Sequence, residues 1–240
     1  MDAIASFDPA RVAPLTHDRF LETHVAFETS STQQDQIRER LAAERLPGVA
    51  SILSVGCGSG ILDAPLAERL SHGRRLRYVG IEPNPIQSAA FAAQLARLPI
   101  DGEAVTATFE DYAGRDTGER FDLVLLIHTH YYLRDVPHGL AQAAALLRPG
   151  GKLVIAAAPR GALNVLAEAF WPAPAEDGLW FSEALRAHLE ALAVTAPSRR
   201  IEGRLDVTPC FAGTPRGDAI RDFVVQADTG AMPAEVRAAI

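Results

Sequence analysis

The stretch Ile52-Leu53-Ser54-Val55-Gly56-Cys57-Gly58-Ser59-Gly60 constrains the fold most: an apolar strand runs into G-x-G-x-G and then into a helical pattern. Glycine serves such a turn twice. It accepts backbone angles with positive φ, and its missing side chain lets a ligand approach the main chain. The chain beyond the turn alternates. Strands are predicted at Ser51 to Val55, Leu76 to Ile81, Ala104 to Phe109, Asp122 to Ile127 and Lys152 to Ala157, with helices at Ile86 to Leu98 and Val136 to Leu147. Such alternation means parallel strands, because parallel neighbours need long crossovers whose helices cover both faces of the sheet. The fold class is α/β, with a doubly wound, mostly parallel sheet.

Before the turn, Phe20, Leu21, Val25 and Phe27, then Ile37 and Leu41, recur at helical spacing on both sides of the polar stretch Thr29 to Gln36, and Leu46-Pro47-Gly48 stops the second helix. After the fifth strand the spacing predicts a helix over Gly161 to Phe170, a Pro-rich WPAPAEDG stretch and a helix over Ser182 to Leu192. A sixth strand is expected at Arg199 to Thr208, then helices around Asp218 to Gln226 and Pro233 to Ala239. No repeat or linker divides the pattern. Residues 1–240 are therefore expected to form one domain: a helical lid (1–48), a cofactor-binding core (49–158) and substrate-side elements (159–240).

With 23 basic and 30 acidic residues, the net charge of −7 argues against nucleic acid or an anionic membrane as partner, since both need clustered Lys and Arg. Two cysteines, no signal-type N-terminus and no run approaching the ~20 apolar residues of a membrane span point to a cytoplasmic protein. The oligomeric state is left open.

Glu82 ends the second predicted strand at the offset where such folds place a carboxylate for ribose hydroxyls. Nicotinamide enzymes usually carry G-x-G-x-x-G; here Ile61 holds the third glycine's place and Gly60 comes one residue early, which favours S-adenosylmethionine over NAD(P). SVGCGSG, GIEPNP, TFEDY, FDLVLLIHTHYYL and LLRPGGKLVIA, in that order, resemble the successive motifs of the Rossmann-like class I methyltransferases. Within them, FETSSTQQDQIRERLAAERLPGV, IEPNPIQ, IHTHYYLRDVP and RLDVTPCFAGTPRGDAIRDF are similar to segments of the histamine N-methyltransferase group.

That resemblance implies S-adenosylmethionine as cofactor, contacted by Gly56, Cys57, Gly58, Gly60, Glu82, Pro83, Gln87, Glu110, Asp111 and Ile127, and a small-molecule acceptor contacted by Phe20, Gln33, Gln34, His128, Tyr131 and Tyr132. The family's lid glutamate, which pairs with the substrate ammonium, is matched here by Gln33 or Gln34; the family's glutamine at the fourth-strand end becomes His128, and Tyr132 keeps the family's tyrosine. An asparagine that the family supplies from its last strand has no counterpart before Ile240.

Methyl transfer from a sulfonium is an in-line displacement, so alignment is the enzyme's main contribution and no metal is needed. His128-Thr129-His130 does not read as a metal site, because alternate strand residues point to opposite faces. His128 and Tyr132 are the candidate catalytic residues, as proton acceptors for an amine. His128 also reads as a neutral hydrogen-bonding residue, and Tyr131 and Tyr132 as pocket packing or one wall of an aromatic box. Cys57 reads as a small loop residue. The expected activity is N-methylation of an imidazole, amine or amino-acid-like acceptor. An NAD(P)-dependent oxidoreductase and a non-catalytic methyltransferase-like binding protein are the competing readings.

Overall fold

The computed structural model describes residues 7, 8, 12, 14–44, 48–72, 74–115, 118–171, 175, 176, 178–194 and 196–240. The expected Leu46-Pro47 stop and most of the first half of WPAPAEDG lie outside the described residues. The chain divides into two compact units, residues 34–157 and residues 1–33 with 158–240.

The 34–157 unit is built on strands β1 (Ser51–Val55), β2 (Arg77–Ile81), β3 (Asp101–Val105), β4 (Phe121–Ile127) and β5 (Leu147–Ala156), in the order β3-β2-β1-β4-β5. Every pairing is parallel. β1 is buried along its whole length and β4 nearly so, as expected where helices cover both faces of a sheet. Ile52, Leu66, Leu76, Tyr78, Phe91, Leu123 and Leu125 are fully enclosed in one core, which Ile37 and Leu41 of helix Gln33–Ala43 join. That second N-terminal helix thus packs in the sheet's own core. Asp122 fixes the start of β1 against β4: its Oδ2 accepts from the Ala50 and Ser51 amides, each at 2.9 Å, and these bonds hold its carboxyl below the usual carboxylate range against the opposing effect of desolvation.

A buried polar pair lies under the glycine turn. Tyr78 donates its hydroxyl to Asp63 Oδ1 at 2.6 Å, with the tyrosine wholly enclosed and Asp63 4% exposed. Burial raises the Asp63 carboxyl pKa, while hydrogen bonds from Ser54 and Tyr78 oppose that rise. Removing one partner leaves a buried acceptor unsatisfied, which costs about 1–3 kcal/mol. Tyr78→Phe is therefore expected to lower unfolding free energy by about that amount, read as a lower denaturant midpoint at unchanged slope.

Two expected strands are corrected. The third strand runs Asp101–Val105, not Ala104 to Phe109, because Thr108 caps a helix over Phe109–Ala113, accepting from the Asp111 amide at 3.1 Å. Arg199 to Thr208 forms no sixth strand: residues 196–204 are exposed, and Leu205 makes only an isolated bridge to Ser31. With so many charged side chains, that segment has too little apolar surface to offset burial in a sheet.

In the other unit, helix His17–Glu28 packs on helix Pro215–Val225. Phe20, His24 and Phe27 gather around Phe223 at ring-centroid distances of 5.8, 5.3 and 4.6 Å. Arg19 pairs with Asp222, which is 1% exposed and also accepts from the Thr229 amide at 2.9 Å. No helix among the described residues is long and apolar enough to cross a membrane.

Candidate functional site

In a doubly wound sheet, a crevice opens outside the carboxyl ends of the strands where the strand order reverses, here between β1 and β4. β1 delivers the glycine turn to this place. Gly56, Gly58 and Gly60 all have positive φ, at 65, 56 and 83°. The Gly56 and Cys57 amides both donate to the Ile81 carbonyl, at 2.7 and 3.1 Å, which ties the turn to the end of β2.

Glu82, one residue past β2, is 7% exposed and holds the turn from the other side. Its Oε2 accepts from the Gly58 amide at 3.0 Å and its Oε1 from the Asn84 amide at 2.8 Å. Asn84 in turn caps helix Pro85–Leu95, accepting from the Ile86 amide at 3.0 Å, with Pro85 in the first helical turn. Gln87 in that turn is 2% exposed, and its Oε1 has no hydrogen-bond partner among the described residues. A buried acceptor without a partner costs free energy unless something else supplies a donor.

The end of β4 contributes the other wall. His128 adopts a left-handed backbone, φ 55°, a conformation uncommon outside glycine and concentrated at functional sites. Its Nδ1 lies 3.4 Å from the Tyr131 hydroxyl, and the rings stack at 6.2 Å. Thr129 follows, packed so closely on the glycine turn that a Cβ on Gly56 would lie 2.4 Å from its Cγ2, and its Oγ1 is buried without a partner among the described residues. His130–Tyr132 is a 3₁₀ turn, so the strand-alternation argument against a His128 and His130 metal pair does not apply; His130 is instead wholly buried, its ring 4.0 Å from that of Tyr131. Tyr132 is 42% exposed as a residue, yet desolvation raises its hydroxyl above the ordinary phenol range, with the Glu82 carboxylate and then Tyr131 adding to the rise.

The remaining expected site residues are placed as follows. Cys57 is buried and its thiol is pushed well up by desolvation, then by Asp63 and Glu82, which fits an inert loop residue. Pro83 is exposed, and Ile127 ends β4 against the sheet core. Glu110 and Asp111 open helix Phe109–Ala113, where Glu110 Oε1 accepts from the Arg134 amide at 3.3 Å. Gln34 has a buried Oε1 without a partner among the described residues, and the main-chain N–H of Gln33 donates to Ser31 Oγ at 3.1 Å. Phe20 packs on Phe223 within its own unit. Asn84 and Thr129 were not anticipated. Asn84 was legible as a helix cap before proline; nothing local marked Thr129.

Residues 53–153 match the family described as a methyltransferase domain. The matched segment includes the turn, Glu82, Gln87 and His128. The chain is 32% identical to the ubiquinone biosynthesis O-methyltransferase of Cereibacter sphaeroides over 171 residues, 64% of this chain and 65% of that protein. To the one of a Methylobacterium species it is 33% identical over 135 residues, 55% and 50% of the two chains. It spans about half to two thirds of these curated relatives. Histamine N-methyltransferase B of Xenopus laevis is 25% identical, over 88% of this chain and 80% of that protein. An O-methyltransferase family protein from Burkholderia thailandensis superposes with a TM-score of 0.56 at 17% identity, covering 70% of this chain and 53% of that one. The likeness to that structure is one of fold, a Rossmann-like parallel sheet.

Proposed function

We propose that this chain binds S-adenosylmethionine at the β1 turn and transfers its methyl group to a small polar acceptor. The observation that carries the proposal is Glu82, whose two oxygens each take one backbone amide, one from the glycine turn and one from the start of the next helix. A carboxylate at this strand end stands where such folds accept from ribose hydroxyls. Gln87 adds a buried acceptor that a bound ligand would satisfy. The cofactor supplies a methyl carbon activated by a sulfonium, and the chain's own residues have to orient the acceptor and take its proton.

His128 is the residue proposed to take that proton. Desolvation, with Glu82 and Tyr131 adding to it, keeps the Tyr132 hydroxyl protonated, so Tyr132 serves the site as a hydrogen-bond donor and as a wall for the acceptor. The acceptor atom is read as nitrogen, supported by the length of the match to the histamine N-methyltransferase. Oxygen is the second reading, supported by the higher identity to ubiquinone biosynthesis O-methyltransferases. In either case a bond forms between acceptor and methyl carbon as the carbon–sulfur bond breaks. The electron pair stays on sulfur, and the acceptor's proton leaves through His128.

Calorimetry is expected to give saturable binding of S-adenosylmethionine and none of NADH; the reverse would move the chain to the oxidoreductases. Turnover is read as S-adenosylhomocysteine formed with a panel of amines, imidazoles, amino acids, phenols and catechols. Product with the nitrogen acceptors supports the first reading, and product with phenols alone supports the second. Cofactor binding with no turnover on any acceptor would leave a binding protein.

A further inference from the structure

Resting on the reading of the β1 turn as the S-adenosylmethionine site, we propose that Thr129 is a positioning residue for methyl transfer, whose side-chain methyl fixes His128 and Tyr132 against the cofactor turn. β1 and β4 pair as far as Val55 and Leu126, and the ladder between them ends there. Beyond it each chain is held from its far side. The turn is tied to the Ile81 carbonyl and the Glu82 carboxylate, and the His128 amide donates to the Ala156 carbonyl of β5 at 3.0 Å. Thr129 spans the gap between them. After the left-handed backbone of His128, a Cβ built on Gly56 would lie 2.4 Å from Thr129 Cγ2 and 3.0 Å from its Cβ, so the methyl is in van der Waals contact with the turn. The Thr129 carbonyl accepts from the Tyr132 amide at 3.1 Å, which puts Tyr132 on the same support.

The methyl and the hydroxyl of Thr129 play different parts. Thr129 opens the 3₁₀ turn without a side-chain cap, and its Oγ1 is buried with no partner among the described residues. A hydroxyl enclosed in this way reaches no ligand and costs stability. The methyl instead occupies the space that Gly56 leaves by having no side chain. A serine at 129 would empty that space and let the turn and the β4 end move relative to one another, because close-packed interiors transmit such displacements. In an in-line transfer, a misplacement of ~1 Å costs up to roughly a hundredfold in rate. A side chain that only fills the core changes stability, whereas one that spaces cofactor and base changes kcat.

Thr129→Ser removes the methyl and keeps the hydroxyl, and Thr129→Val does the reverse. S-adenosylhomocysteine is titrated into the full chain while the His128 ring signals, assigned by their loss in His128→Asn, are followed by NMR. These signals are expected to shift saturably in wild type and in Thr129→Val, and to lose most of that shift in Thr129→Ser. In turnover, Thr129→Ser should lower kcat roughly tenfold to a hundredfold and change the cofactor KM by less than about threefold. Thr129→Val should rescue kcat to within about threefold of wild type, with a raised denaturant midpoint. Wild-type kcat and ring shift in Thr129→Ser overturn the proposal. Equal kcat losses in the two variants also overturn it, since the hydroxyl would then carry the role, as does a loss confined to the cofactor KM. If wild type methylates no acceptor, the ring shift alone decides. Absence of saturable binding by wild type removes the cofactor site and this proposal together, whereas a failure confined to the Thr129 variants leaves the cofactor site standing.

Discussion

Glu82→Ala is expected to weaken S-adenosylmethionine binding roughly a hundredfold to ten-thousandfold and to lower the melting temperature. Two charge-assisted bonds to ribose hydroxyls, at ~1.5–3 kcal/mol each, account for the first effect. The second has a separate origin. The Gly58 and Asn84 amides lose their acceptor when the carboxylate is removed, and both lie in the buried junction of β1, β2 and the helix that follows. Glu82→Gln should fall between wild type and alanine, since its amide keeps one oxygen but turns an NH₂ group toward a backbone donor. Calorimetry beside thermal melts separates the two roles. A melting temperature that drops while the dissociation constant stays within about twofold would make Glu82 a brace for the turn and remove it from the cofactor site.

Gly60→Ala is the second large effect expected. Its φ of +83° costs a side chain ~1–2 kcal/mol. A Cβ there would also sit 2.2 Å from Cδ2 of Phe91, which is wholly buried and closed in by Tyr78, so its ring has little room to yield. Overpacking adds about 1–3 kcal/mol, so the total is about 2–5 kcal/mol against a stability of ~5–15 kcal/mol. Gly150 gives the control. Its φ is +80° but nothing lies within 4 Å of an added Cβ, so Gly150→Ala isolates the backbone cost. Denaturation curves should show Gly60→Ala as clearly the more damaging of the two. Equal losses would mean that the Phe91 contact relaxes freely and that Gly60 is needed only for its backbone angle.

The acceptor side was only partly legible. Sequence alone leaves Gln33 and Gln34 as alternatives; in the structure Gln34 has a buried Oε1 without a partner among the described residues, and the main-chain amide of Gln33 donates to Ser31 Oγ. His128 was marked by its position at the end of an apolar strand. Its left-handed backbone, which swings the chain into the 3₁₀ turn, had no signal in the sequence. The other left-handed non-glycine residues among the described residues, Ala193 and Gln226, follow helices, where such a conformation ends the element.

By itself the sequence determined the parallel sheet, the glycine turn at Gly56 to Gly60 and the carboxylate at Glu82, because each depends on local pattern: apolar runs, glycine spacing and a strand end. Only tertiary structure decided what those residues touch. The Glu82 oxygens reach Gly58, Thr129 closes on Gly56, Phe91 fills the space beside Gly60, and Leu205 pairs with Ser31 instead of extending the sheet. Periodicity records how often a side chain must be buried. It does not record which distant neighbour will be there to satisfy it, and that is settled when buried polar groups and packed volumes are matched across the whole fold.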